Sequence, residues 1–202
     1  MRQILVTLAL FCCLLCLAKA AAAQEENPCT QAVQAANPQE QIELWTECLE
    51  TPALDKKAQA TVYSNRGNAK LAADDIEGAI VDFSKAVDLQ PENAKLVYNR
   101  ALAFGQADKL NKAIEDLDRA IELNPEMVPA YFNRGSARYN IGNYQGAADD
   151  FTEVLRLKPN HAEAHAKRAF ARKALGLMDL AREDARIARN LDPGVTVPAF
   201  PD

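Results

Sequence analysis

Two histidines, one tryptophan and eight glycines in 202 residues leave little material for most catalytic devices. No glycine-rich phosphate loop and no G-x-S-x-G elbow occurs, so nucleotide-dependent and serine-hydrolase chemistries have no starting point. Basic residues are outnumbered, 23 against 28 acidic ones, and the charge of −5 offers no field to draw in nucleic acid. Cysteine is scarce past the opening residues: of five, Cys12, Cys13 and Cys16 fall in the first apolar run, which leaves Cys29 and Cys48. His161 and His165 flank Glu163, a spacing that suggests a metal site, but His161 follows Pro159 in a turn and His165 falls in a packing column. No metal, no cofactor and no enzymatic activity are therefore expected. What is abundant is 49% hydrophobic and 25% charged side chains, rich in Ala, Leu, Glu, Asp and Arg, the balance of a soluble helical protein.

Long apolar runs are limited to one. Arg2 precedes Ile4 to Leu17, interrupted only by Thr7, and Ala21, Ala22 and Ala23 follow ahead of Gln24. This is the pattern of a secretory signal over residues 1–23, with cleavage expected after Ala23 and a retained anchor as the alternative. The run of 14 residues is short of the roughly 20 that span a bilayer, so no stable membrane span is expected after cleavage. Leu15 stands before Cys16, where a lipoprotein signal requires a small residue. Losing Arg2 and Lys19 leaves 21 basic residues against 28 acidic, a mature charge of −7. The remaining even pair, Cys29 and Cys48, predicts one disulfide in an oxidising compartment.

The most informative feature is a repeat. Pro91, Pro125, Pro159 and Pro193 are spaced by 34 residues and set four units: 60–93, 94–127, 128–161 and 162–195. The eighth column holds Gly67, Ala101, Gly135 and Ala169, and the twentieth holds Ala79, Ala113, Ala147 and Ala181. Small residues recurring in two columns are what two closely crossing helices require. Phe83, Leu117, Phe151 and Ala185 share the twenty-fourth column, and Leu89, Leu123, Leu157 and Leu191 the thirtieth, as core positions at helical spacing. Each closing proline marks the end of a second helix.

These columns resemble the tetratricopeptide repeat family over about two thirds of the chain. The resemblance implies an all-α superhelical solenoid of four helical hairpins whose first helices line a concave face. The family's first-helix Trp is replaced by Tyr63, Val97, Tyr131 and His165, and the last unit carries Ala185 where the others are bulky. The carboxylate clamp known in this family is matched at Asn68 and Asn99, but Ser64, Pro129 and Asn133 stand where it requires basic residues. C-terminal chaperone peptides are therefore not the expected ligands. Residues 24–59 lie outside the strict period and read as two short helices, Cys29 to Ala36 and Gln39 to Leu49, a degenerate hairpin stapled by the disulfide as an N-terminal helical cap with Trp45. Exported alphaproteobacterial repeat proteins show a similar cysteine-paired lead-in before N-R-G units, which implies a bacterial, periplasmic protein, with secretion as the alternative. Residues 196–202, with Pro198 and Pro201, read as a loose tail.

Two further patterns concern function. Arg66, Arg100, Arg134 and Arg168 recur in the seventh column and Asp82, Asp116, Asp150 and Asp184 in the twenty-third, which predicts a structural ladder of ion pairs, with a charged binding stripe as the alternative. Positions two, five, six, nine, twelve and thirteen of each unit should face the groove. They include Asn65, Asn99 and Asn133, with Lys167 completing that column, joined by Asn68 and Asn140 and by the aromatic Tyr98, Phe132, Tyr139 and Phe170. Side-chain amides can hold the backbone of an extended peptide without demanding a sequence, and aromatics give anchor area, with the alternative that the aromatics only pack adjacent first helices and the amides are solvated. The expectation is a scaffold that binds an extended or helical segment of another protein. Two alternatives remain: an assembly factor that self-associates or uses the apolar edge at Leu177, Met178 and Leu191, and an accessory factor for an envelope enzyme or glycan.

Overall fold

The computed structural model describes residues 27–52 and 54–200, so the expected signal segment lies outside the described residues. Ten helices follow in chain order: α1 Pro28–Gln34, α2 Pro38–Leu49, α3 Lys56–Ala72, α4 Ile76–Leu89, α5 Ala94–Gln106, α6 Leu110–Leu123, α7 Val128–Asn140, α8 Tyr144–Leu157, α9 Ala162–Ala174 and α10 Met178–Leu191. No strand occurs among the described residues. Short polar residues set the starts: Asn27, Asn37, Asp55, Asp75, Asn93 and Asn143 each accept a backbone N–H of the following turn. The cap at Asp55 starts α3 ahead of the repeat boundary at residue 60. Each hairpin reverses through one left-handed residue at the same column, Asp74, Asp108, Gly142 and Gly176, with φ of 62°, 56°, 81° and 78°.

Each first helix packs on its own second helix, on the second helix before it and on the next first helix, so α3, α5, α7 and α9 form one continuous row. The second helices make no comparable contact with one another. A stack whose first helices crowd together and whose second helices spread apart curves with the first helices inside, which is how the groove arises.

The small columns permit this approach, and their partners are graded in size. A Cβ on Gly67 would lie 2.9 to 3.1 Å from the Phe83 ring, and one on Gly135 would lie 3.1 Å from the Phe151 ring. Where the eighth column is Ala101 the partner shrinks to Leu117, and where it is Ala169 the partner is Ala185. All of these partners are buried. In the first three units a smaller eighth-column residue meets a larger partner, Gly with Phe and Ala with Leu, whereas the last unit has Ala on both helices, with Ala185 still buried.

At the N-terminal end Cys29 on α1 is bonded to Cys48 on α2, with Cα atoms 5.0 Å apart. Ala32, Trp45 and Cys48 are buried against Val62 of α3, closing the apolar end of the stack. The other end departs from the sequence expectation of a loose tail. Residues 195–200 lie along α9, Pro198 is fully buried, and Lys173 Nζ donates to the Ala199 carbonyl at 2.5 Å. The reason is register: Pro198 continues the column of Val62, Leu96, Ala130 and Ala164, all buried, so the extended segment presents one apolar side chain where a further unit would.

Candidate functional site

The charged columns meet inside each hairpin. Arg66 donates to Asp82 through Nε and Nη2 at 2.8 and 2.7 Å, Arg100 to Asp116 at 2.7 and 2.7 Å, and Arg168 to Asp184 at 2.9 and 2.7 Å. Arg134 holds Asp150 in the same way, at 3.1 and 2.5 Å. A second cation reaches three of these carboxylates: Lys70 on Asp82 at 2.9 Å, Arg138 on Asp150 at 3.0 Å and Arg172 on Asp184 at 2.6 Å. In the second unit that column is Phe104, whose ring lies 5.9 Å from the Arg100 guanidinium and 5.6 Å from Lys112 Nζ. The arginines also bridge units, since Arg66 reaches Thr46 at 3.0 Å, Arg134 reaches Asp118 at 2.6 Å and Arg168 reaches Thr152 at 3.1 Å on the preceding second helix. Planar forks satisfied on both sides fix hairpin spacing and are directed into the stack rather than at a ligand. Burial raises the Asp150 carboxyl above its ordinary value despite Arg134 and Arg138. At Asp184 burial acts in the same sense, but hydrogen bonds from Arg168 and His165 outweigh it and the carboxyl stays below that value.

The histidines have structural partners. His165 is buried with Nδ1 3.1 Å from Asp184 and Nε2 3.1 Å from the Pro159 carbonyl. His161 accepts the Ala164 N–H at 3.3 Å, capping α9, and stacks on Phe132. Among the described residues no group of three His, Cys, Asp or Glu side chains is placed to hold a metal ion.

The ten residues expected in the groove do not converge on one place. Asn65 and Asn68 line a hollow of about 300 Å³ between the cap and α3, with Ala32, Gln41 and Trp45. Lys167 and Phe170 line a separate cavity of about 440 Å³ under the C-terminal segment. Asn99 donates to Ser64 at 3.3 Å and Asn133 to the Tyr98 hydroxyl at 2.8 Å, so these amides link successive first helices. Burial of the Tyr98 phenol raises its pKa against that hydrogen bond. Phe132 packs edge-on against Phe151 at 5.6 Å, and Tyr139 meets Tyr144 at 5.2 Å.

Asn133 and Asn140 are brought together, in a cavity of about 300 Å³ walled by the first helices α5 and α7 and by α6. Its apolar lining comes from Leu102, Leu110, Leu117 and Ala137, and its polar lining from Gln106, Asn133, Ser136 and Asn140. None of its lining residues is charged. A Cβ built on Gly105 would meet nothing within 4 Å, so that helix leaves space beside the cavity. Leu102, Gly105, Gln106 and Ser136 sit at the ninth, twelfth and thirteenth columns, already assigned to the groove by position; weighting residue type toward Asn and aromatics passed over them. The cavity can accept a neutral apolar group of side-chain size, while amides at its edge supply donors and acceptors to a peptide backbone.

Two family models described as Tetratricopeptide repeat match residues 64–128 and 100–172. The chain is 31% identical to the protein solved as "First TPR of Spaghetti (RPAP3) bound to HSP90 peptide SRMEEVD", with a TM-score of 0.58, covering 62% of this chain and 98% of that one. The chain belongs to the tetratricopeptide repeat family. Two structures of MamA share the fold of this tetratricopeptide stack: "Crystal structure of MamA protein" has a TM-score of 0.74 at 20% identity, covering 86% of this chain and 95% of that one. "Crystal structure of MamA" has a TM-score of 0.71 at 22% identity, covering 77% and 89%. No curated protein matches the chain. No helix among the described residues is long and apolar enough to cross a membrane.

Proposed function

We propose that this chain is a non-enzymatic interaction scaffold, exported to the periplasm, that holds a segment of a partner protein in its concave groove. The observation that carries this reading is the uncharged cavity walled by α5, α6 and α7, with Gln106, Asn133 and Asn140 in its lining. A related repeat protein solved with a peptide supports protein binding as the use of the fold. The lining here contains no cation to receive a terminal carboxylate, so the segment held is internal, with one neutral apolar side chain seated in the cavity. The opening apolar run and the bonded Cys29 and Cys48 support the exported location.

The test is affinity capture from a periplasmic extract with the mature protein and its Gly105→Phe variant. The phenyl group would be attached at a lining residue of the cavity where a Cβ has nothing within 4 Å, and is expected to obstruct the cavity. A partner retained by the native protein and lost by the variant supports the reading; an equal catch by both overturns it. A second reading, self-association, is favoured by exposed apolar side chains on the last hairpin, Leu177, Met178, Leu180 and Leu191. A mass in sedimentation equilibrium that rises with concentration, and falls back in Leu180→Glu, is its expected result.

A further inference from the structure

The C-terminal segment is an extended peptide already seated on this fold. Pro198 and Pro201 cannot donate backbone hydrogen bonds and hold Val197 and Phe200 away from helical geometry, so the segment cannot form a fifth first helix. It runs instead along the face of α9 at Ala166, Lys167, Phe170 and Lys173. Three contacts hold it: Pro198 is buried, Lys173 Nζ donates to the Ala199 carbonyl at 2.5 Å, and the Phe200 ring lies 5.8 Å from Lys173 Nζ and 5.2 Å from the Arg182 guanidinium. The fit is incomplete. A cavity of about 440 Å³ remains beside Val195 and Thr196, walled by Glu163, Ala166, Lys167 and Phe170.

We infer that this face of α9 is a second peptide-binding site, specific for an extended, proline-containing apolar segment, and that residues 195–200 are its resident ligand in cis. Lys173 reads the backbone of such a segment and the cation pair takes an aromatic side chain. The unfilled cavity takes a side chain larger than Thr196 at the corresponding position. Because the resident segment is tethered, it acts at a millimolar effective concentration and a competing segment must outbind it. The site stands apart from the groove cavity at Gly105, and blocking that cavity leaves it intact.

The probe is the capped peptide Val-Thr-Val-Pro-Ala-Phe, titrated into the full chain and into the full-chain variant Pro198→Asp/Phe200→Ala. A charge cannot occupy the buried proline position, so in the variant the tail leaves and α9 is open. The variant binds the probe at least ten-fold more tightly than the native chain does. The probe carrying Leu for Thr, with two more side-chain carbons, binds about sixteen-fold more tightly again, since each further buried methylene contributes about four-fold. Gly105→Phe leaves both affinities unchanged. Absence of binding to the folded variant, or equal binding to variant and native chain, overturns the inference. If the variant does not fold, the native chain labelled with 4-fluorophenylalanine at position 200 decides. A millimolar excess of the Leu probe moves the fluorine resonance to its solvent-exposed position if the inference holds, and leaves it in place if it is wrong.

Discussion

The pairing of Gly67 with Phe83 can be tested against the chain's own second unit, which places Ala101 and Leu117 at the same columns. An added Cβ at Gly67 would lie 2.9, 3.0 and 3.1 Å from Cε1, Cζ and Cδ1 of Phe83, against about 3.5 to 4.0 Å for relaxed carbon contacts. Phe83 is fully buried and has no room to withdraw, so overpacking of about 1–3 kcal/mol is expected. The better helix propensity of Ala returns about 1 kcal/mol, leaving Gly67→Ala destabilising by about 1 kcal/mol. With Phe83→Leu in place the obstruction is gone, and the same Gly67→Ala change should stabilise by about 1 kcal/mol through propensity alone. The coupling between the two sites is therefore about 2 kcal/mol, well above the roughly 0.5 kcal/mol scatter of independent sites. Urea denaturation of the four proteins followed by far-ultraviolet circular dichroism measures it. A coupling under about 0.5 kcal/mol would show that Gly67 is not fixed by the volume of its partner.

Three other outcomes follow from the same contacts. Asp184→Asn deprives Arg168, Arg172 and His165 of their shared carboxylate and should cost about 3 kcal/mol near neutral pH. Because the folded Asp184 carboxyl lies below its ordinary value of 3.8, its contribution is complete above that value and is lost as pH falls through the lower folded one. Denaturation from pH 7 to pH 2 should show the wild-type advantage constant above about pH 5 and shrinking below 3.8. Reducing the Cys29–Cys48 bond, which closes a sequence separation of 19, should cost about 3 kcal/mol in the cap, with amide exchange rising in α1 and α2 and not in α5 to α8. Gly105→Phe should keep or slightly raise the melting temperature, because it replaces an exposed helical glycine where an added Cβ has nothing within 4 Å. A fall of more than about 4 °C would mean that the site is packed, contrary to its geometry.

The repeat carried most of the fold. Period, small columns and closing prolines specify hairpins because each is a local steric requirement that recurs. The arginine and aspartate columns were legible for the same reason, although only three-dimensional packing shows Arg134 reaching both Asp150 and Asp118. The tail was read as loose from its two prolines, which forbid helix but do not forbid docking; the buried column at Pro198 became visible only against α9. The groove was the least legible part. Asn99, Asn133 and Tyr98 were chosen for what their side chains can offer a ligand, and each also makes a hydrogen bond between successive units that takes up part of that capacity. Asn133 and Asn140 line the cavity, but it also borders Gly105, a residue with no side chain to advertise it.

In the function proposed above, a partner lies on the inner row of first helices. Hydrogen exchange of the mature protein, alone and saturated with the captured partner, tests it most directly. Added protection is expected in α5 and α7 around Leu102, Gly105 and Asn140. Protection confined to α6, α8 or the outer face of α10, with α5 and α7 unchanged, would contradict it.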